Sequence, residues 1–351
     1  MDLDARLPTI LKKSMIARID NDRLLIGDRR AYPWEHRVVA CTDVQQIAAA
    51  IRAMVTQGGG PLQVACTTMR FVARRIHRGV DTNSPQVFVQ AAQLLAQARP
   101  TNTTMARAVR TIVAEISQYY LCSGMRDLHG GDLVSFVDAI VDRHEQQFDA
   151  YYDAMSDFGE QLLGSDEGIL TTCFAEHSLL LTVLKAQENG KQVTVYVPET
   201  RPYLQGARLT APALQELGIP TYVITDGAGA HFMQERQISR YMTASDLVTM
   251  DGTVVNKVGT LANAICCAHY SIPYHPFALA PDPTKHSADD IVMEERDGAE
   301  VLLCNGHPTT VDTIPARYPA FDRIDPSLVT AIITPKGVLQ PSEVGSAYRS
   351  L

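Results

Sequence analysis

Four short polar clusters in this chain each follow an apolar run, and together they hold the residue types that proton-transfer chemistry needs. Cys173 follows Ile169-Leu170-Thr171-Thr172. Glu199, Thr200, Arg201, Gln205 and Arg208 follow Val193-Thr194-Val195-Tyr196-Val197. Asp226 follows Thr221-Tyr222-Val223-Ile224, and Asp251 with Asn256-Lys257 follows Asp246-Leu247-Val248-Thr249-Met250. A thiol, carboxylates, an amide beside a lysine and an arginine suit acid/base work on a small phosphorylated molecule. Their sequence spacing could never unite them. A parallel sheet could, because its strands end on one common edge, where open α/β folds bind ligands.

The elements needed for such a sheet are legible from residue 168 onward. Short β-branched runs alternate with helical patterns: a strand at Ile169–Thr172 and a helix to Gln187; a strand at Val193–Val197, ended by Pro198, and a helix at Ala211–Leu217. Thr221–Ile224 is followed by a helix from about Ala230, Asp246–Met250 by a helix to about Tyr270. Further strands are expected at Pro273–Ala278 and Val329–Thr334. Repeated β-loop-α units predict a doubly wound, mostly parallel, Rossmann-like sheet. No GxGxxG follows the first strand, so no dinucleotide is indicated.

The first part of the chain reads differently. Met15–Arg30 suggests a small β element around the turn Asp20-Asn21-Asp22. Helices are expected over Asp43–Gln57, from Pro61 to about Arg75, over Pro85–Gln97, Met105–Tyr120 and, after Gly130-Gly131, to about Gly164. The predicted organisation is a mainly helical N-terminal domain over residues 1–155 and an α/β catalytic domain over 156–351. Gly58-Gly59-Gly60 precedes a helix and could offer bare N–H groups to an anion, or serve as a plain turn. Arg99 precedes Pro100 and is therefore extended, beside the start of the next helix.

Bulk properties narrow the function. The 351 residues carry a net charge of −8 and 46% apolar residues, which gives no general affinity for nucleic acid. There is no run of 18 apolar residues to span a membrane, and the start lacks the order of a secretory signal. Seven cysteines are scattered without a CxxC pair, neither a zinc set nor a disulfide framework. Reduced thiols in a cytoplasmic protein, with no metal and no cofactor, are the expectation.

The stretch Glu199-Thr200-Arg201-Pro202-Tyr203-Leu204-Gln205-Gly206-Ala207-Arg208-Leu209-Thr210 and its continuation to Asp226 resemble the signature of the methylthioribose-1-phosphate isomerases. These are relatives of the ribose-1,5-bisphosphate isomerases and of the regulatory subunits of eukaryotic initiation factor 2B. Ile169-Leu170-Thr171-Thr172-Cys173 is similar to that family's ILTHC, Asn256-Lys257-Val258-Gly259-Thr260 to NKIGT, Tyr318-Pro319-Ala320-Phe321-Asp322 to NPAFD, Ala331–Thr334 to AIIT and Arg99-Pro100-Thr101 to its SRPT turn. The resemblance covers nearly the whole chain in order. It implies an aldose-to-ketose isomerisation of a ribose 1-phosphate with a modified C5, no cofactor, and a homodimer or higher homo-oligomer. It also implies Cys173 and an aspartate as acid/base partners, with substrate contacts from Arg99, Gln205, Asn256, Lys257 and the backbone of Gly58 and Gly59.

Departures from the pattern bear on these roles. The family's aspartate lies in a VGADRI-type loop. The corresponding segment here is read as Val248 to Val255, a shortened loop, which makes Asp251 the expected catalytic aspartate and Asp226 the alternative. Gln57 replaces an arginine that binds phosphate in the family. Phe174-Ala175-Glu176 replaces NAG, adding Glu176 and His177 beside the thiol. A helix N-terminus next to Cys173 is expected to lower its pKa. A non-catalytic sugar-phosphate or nucleotide sensor, or an assembly subunit, is the competing class.

Overall fold

The computed structural model describes residues 3–99, 103–122 and 130–349. Contacts divide the chain into two compact units, Met1–Ala150 and Tyr151–Leu351.

The first unit begins with two single-turn helices, α1 (Leu3–Arg6) and α2 (Lys13–Ile16). An antiparallel sheet follows, β1 (Ala17–Asp20), β2 (Arg23–Gly27) and β3 (Val38–Cys41), in that order. Helices α3 (Val44–Arg52), α4 (Gly60–His77), α5 (Pro85–Ala98) and α6 (Thr103–Cys122) come next, and then α7 (Gly130–Gln161), within which the division between units falls. The apolar spacing of α3 places Ile47 and Ile51 inward, and they pack in one core with Phe71, Phe88, Met105 and Ile112. Asp43 caps α3 by accepting from the Gln46 N–H.

The second unit is built on five parallel strands: β4 (Asp166–Leu170), β5 (Gln192–Pro198), β6 (Thr221–Ile224), β7 (Arg240–Thr243) and, after a short antiparallel excursion, β10 (Tyr274–Pro276). Their order in the sheet is β10-β7-β4-β5-β6. Helices α8 (Glu176–Glu188), α9 (Ala211–Glu216), α10 (Gly229–Gln234) and α11 (Thr260–Tyr270) connect them. The chain winds outward from β4 through β5 to β6. It then returns to the other side of β4 for β7 and β10. The order therefore reverses between β4 and β7, where Leu170 pairs with Tyr241, and a crevice opens at such a reversal.

Two strand expectations are corrected. The parallel strand after α10 is β7, which the sequence reading passed over because Arg240 interrupts its apolar run. Leu247–Val248 (β8) instead pairs antiparallel with β9 (Val254–Lys257), and β9 pairs with the strand Phe321–Ile324. Ile332–Thr334 forms a hairpin with Gly337–Leu339 and is joined to the segment after β10 by a bridge from Ile333 to Phe277, outside the five-stranded sheet. No helix among the described residues is long and apolar enough to cross a membrane.

Candidate active site

Cys173 lies three residues beyond the end of β4, on a backbone that sequence alone would not favour. Its φ is +66°, and Glu176, Thr200 and Leu204 close by in the same two loops have φ of +56°, +64° and +58°. Left-handed backbone at four non-glycine residues is costly and persists only when held from outside. The loop after β5 does the holding. Thr200 Oγ1 accepts from the Cys173 N–H at 3.1 Å. Thr210 Oγ1 donates to the Cys173 carbonyl at 2.7 Å and accepts from the Ala175 N–H at 3.0 Å. That loop continues as a π-helical turn, Gly206–Thr210. Gly206 is required there because a Cβ would overlap the Pro198 carbonyl oxygen.

Burial pushes the Cys173 thiol up to about 11. The positive charge of Lys257 works against burial, and the negative charges of Asp246 and Glu176 add to it. The lowering expected from a helix N-terminus is overridden, because the sulfur is desolvated and α8 starts only at Glu176. Cys173 is thus a protonated thiol at neutral pH.

Of the two carboxylates that act on the sulfur through their charge, Asp246 is the stronger influence and Glu176 the weaker. Asp246 lies three residues past the end of β7, the strand beside β4, and its N–H donates to the Val255 carbonyl on β9. Asp251 is placed elsewhere. It is exposed, its carboxylate accepts from Thr249 Oγ1 and from the Thr253 N–H, and it closes the turn between β8 and β9. Asp226 is also committed, its two oxygens taking the N–H groups of Thr200 and Arg201 at 2.6 and 2.8 Å. The sequence expectation places Asp246 inside a strand, Asp246–Met250, and so offers Asp251 and Asp226 as the candidate carboxylates instead.

Asn256 and Lys257 end β9 and are both buried. The Asn256 amide donates to Thr260 Oγ1 at 3.1 Å. Lys257 Nζ donates to the Tyr318 hydroxyl at 3.3 Å and lies 4.6 Å from the Phe321 ring centroid. Asp322 fixes the start of α11 by accepting from the Gly259 and Leu261 N–H groups. Gln205 is only 3% exposed, and its Oε1 has no hydrogen-bond partner among the described residues. A buried amide oxygen left unpaired points to a ligand or water. Arg201 holds its loop by donating to the Val301 and Leu303 carbonyls. Glu176 is buried. His177, partly buried rather than on an open helix surface, stacks on Tyr152 at 4.6 Å with Nδ1 3.3 Å from Glu176 Oε2.

The remaining predicted contacts belong to the first unit. Gly58 has φ +58° and Gly59 caps α4. Arg99 ends α5, and its guanidinium reaches Met54 Sδ at 3.4 Å, which brings it near the same turn. Gln57 is buried with Oε1 unpartnered among the described residues. Pro100 and Thr101 lie outside the described residues. Among those described, no three His, Cys, Asp or Glu side chains are grouped to hold a metal ion.

Known proteins share this sequence pattern and this fold. The model of the initiation factor 2 subunit family matches residues 62–341. A methylthioribose-1-phosphate isomerase of Anaeromyxobacter sp. (strain K) is 34% identical over 337 residues, covering 93% of this chain and 94% of its own. One from Thermotoga neapolitana is 31% identical, covering 91% and 92%. The crystal structure of 5-methylthioribose 1-phosphate isomerase from Pyrococcus horikoshii superposes with a TM-score of 0.76 at 26% identity, over 95% of this chain and 94% of that one. The delta subunit of initiation factor eIF-2B from A. fulgidus shares the fold, with a TM-score of 0.76 at 24% identity over 93% and 96%. The chain belongs to the initiation factor 2 subunit family, and within it to the isomerases.

Proposed function

We propose that this protein converts a C5-modified ribose 1-phosphate, such as 5-methylthioribose 1-phosphate, into the corresponding ribulose 1-phosphate, with Cys173 and Asp246 exchanging the protons. The observation that carries this reading is the placement of a protonated thiol and a carboxylate just beyond the ends of β4 and β7, the adjacent strands at the reversal of the sheet, within electrostatic reach of each other.

In the closed sugar, C1 carries both the ring oxygen and the phosphate, so the ring must open before the skeleton can isomerise. Cys173 gives its proton to the ring oxygen as the C1–O bond breaks. Asp246 takes the proton from C2, and the electron pair left behind forms the C1=C2 double bond of an enol phosphate. Asp246 then returns its proton to C1, and the C2 hydroxyl gives its own to the Cys173 thiolate. C2 becomes a carbonyl and both side chains are restored. Lys257 supplies positive charge for the phosphate and Gln205 an unpaired amide oxygen for a sugar hydroxyl.

A panel of C5-modified ribose 1-phosphates, assayed for ketose formation, tests the activity. Cys173→Ser and Asp246→Asn should each reduce kcat at least about 100-fold while the fold is kept, and Asp251→Asn should stay near wild type. Saturable binding without turnover of any member would instead describe a sensor. Full loss in Asp251→Asn would return the carboxylate role to that residue.

A further inference from the structure

We infer that Tyr318 is a catalytic hydrogen-bond donor in this site, its phenol aimed at the substrate oxygen on which negative charge builds beside Cys173. The inference rests on the isomerase reading above.

Tyr318 is 3% exposed and sits on a short strand, Tyr318–Pro319, paired with Glu295–Arg296. Its hydroxyl has one hydrogen-bond partner among the described residues, Lys257 Nζ at 3.3 Å. An ammonium group has only donors. The phenol oxygen is therefore the acceptor in that bond, and its own proton is left without one. Buried hydroxyl protons are seldom left unused, so this one has a partner that arrives with the ligand.

Two further observations show where that ligand lies. Once ionised, the Cys173 sulfur is, after burial, the largest influence holding the proton on Tyr318, and Lys257 is the cation that offsets burial at Cys173. The sulfur, the ammonium and the phenol thus share one neighbourhood. The Tyr318 ring is also fixed in place. The Tyr203 ring packs edge-on to it at 6.1 Å, Tyr203 donates to Glu300 Oε2 at 2.6 Å, and the Arg296 guanidinium lies 5.4 Å over the Tyr203 ring.

Donation from Lys257 into the phenol oxygen polarises the O–H bond and makes it a stronger donor without ionising it. In the isomerisation, the oxygen on C2 gains negative charge as its proton departs and the carbonyl forms. A fixed donor at that oxygen stabilises the transition state more than the bound substrate. Nothing is transferred, and Tyr318 stays a phenol throughout.

Tyr318→Phe keeps the ring, its contact with Tyr203 and its face toward Lys257, and removes only the hydroxyl. We expect kcat to fall about 100-fold with KM within threefold of wild type. In the wild type, the carbonyl stretch of bound ketose labelled with 13C at C2 should be displaced to lower frequency, and Tyr318→Phe should abolish that displacement. Should this variant fail to fold, 3-fluorotyrosine at 318 keeps the shape, strengthens the donor and should displace the stretch further. Unchanged kcat, a raised KM at unchanged kcat, or a stretch that ignores these substitutions would overturn the inference and leave Tyr318 as packing for Lys257. A wild-type protein that isomerises no sugar 1-phosphate would overturn the underlying reading instead, so the two failures are distinct.

Discussion

The protonation of Cys173 can be measured directly by its reactivity as pH is varied. Only the thiolate reacts with iodoacetamide. A thiol held at about 11 is roughly one-thousandth ionised at pH 8, against roughly one-tenth for a thiol at 9.0, a difference of about 100-fold in reactive species. Access to the partly buried sulfur changes the absolute rate but not the pH at which the rate bends. The assay is brief alkylation between pH 7 and 11, followed by peptide mass spectrometry to separate Cys173 from the other thiols, with circular dichroism confirming the fold at each pH. In the wild type, the logarithm of the rate should climb with unit slope past pH 10 and bend near 11. Asp246→Asn removes a negative charge that holds the proton on, so its bend should move down. Lys257→Met removes the opposing positive charge and should move it up. A wild-type bend at 9 or below would refute the burial argument. A bend indifferent to Asp246→Asn would refute the placement of that carboxylate beside the sulfur, and with it the proton exchange proposed above.

Two other outcomes follow from the same unit. Burial, with the Arg240 charge beside it, lowers the His275 imidazole to about 4. The unfolded chain binds that proton near 6.5, so stability is full above 6.5 and is lost as pH falls through this window, by about 3 kcal/mol at pH 4. Urea unfolding at pH 7 and pH 4.5 should show His275→Gln losing less stability than the wild type, and equal losses would contradict this. Gly206→Ala should cost about 1–3 kcal/mol, because a Cβ there meets the Pro198 backbone. By shifting the turn that carries Thr210, it should also lower kcat beyond what the stability loss explains; an active, fully stable variant would show that the turn can give way.

Much of the fold was legible because periodicity reports burial. The β-branched runs at β5 and β6 fell where the structure has them, and α3 began as expected but ends at Arg52, five residues short of Gln57. What failed was β7. Arg-Tyr-Met-Thr at 240–243 looks polar because Arg240 pairs with Glu167 across the neighbouring strand β4, an ion pair that no local pattern reveals. Missing β7 put the expected strand at Asp246–Met250, so that Asp246 counted as part of a strand and not as a residue beyond one. Residue type alone could not separate the two aspartates. Asp246 follows a parallel strand at the sheet's reversal, whereas Asp251 follows half of a hairpin, and only strand pairing tells these apart. The protonation of Cys173 was misjudged for a similar reason. A nearby helix start is visible in sequence, but the desolvation that outweighs it depends on loops distant in the chain.

The hold that Thr200 and Thr210 exert on the Cys173 backbone also bears on how such a protein could change over generations. The proposed proton-exchanging pair follows two central strands, while the loop after β5 both grips the Cys173 backbone and carries Gln205. Drift in that loop is therefore not free. A substitution that alters what Gln205 meets also tugs on the Cys173 backbone, so new ligand preferences should arise more readily from parts of the molecule that do not share this grip.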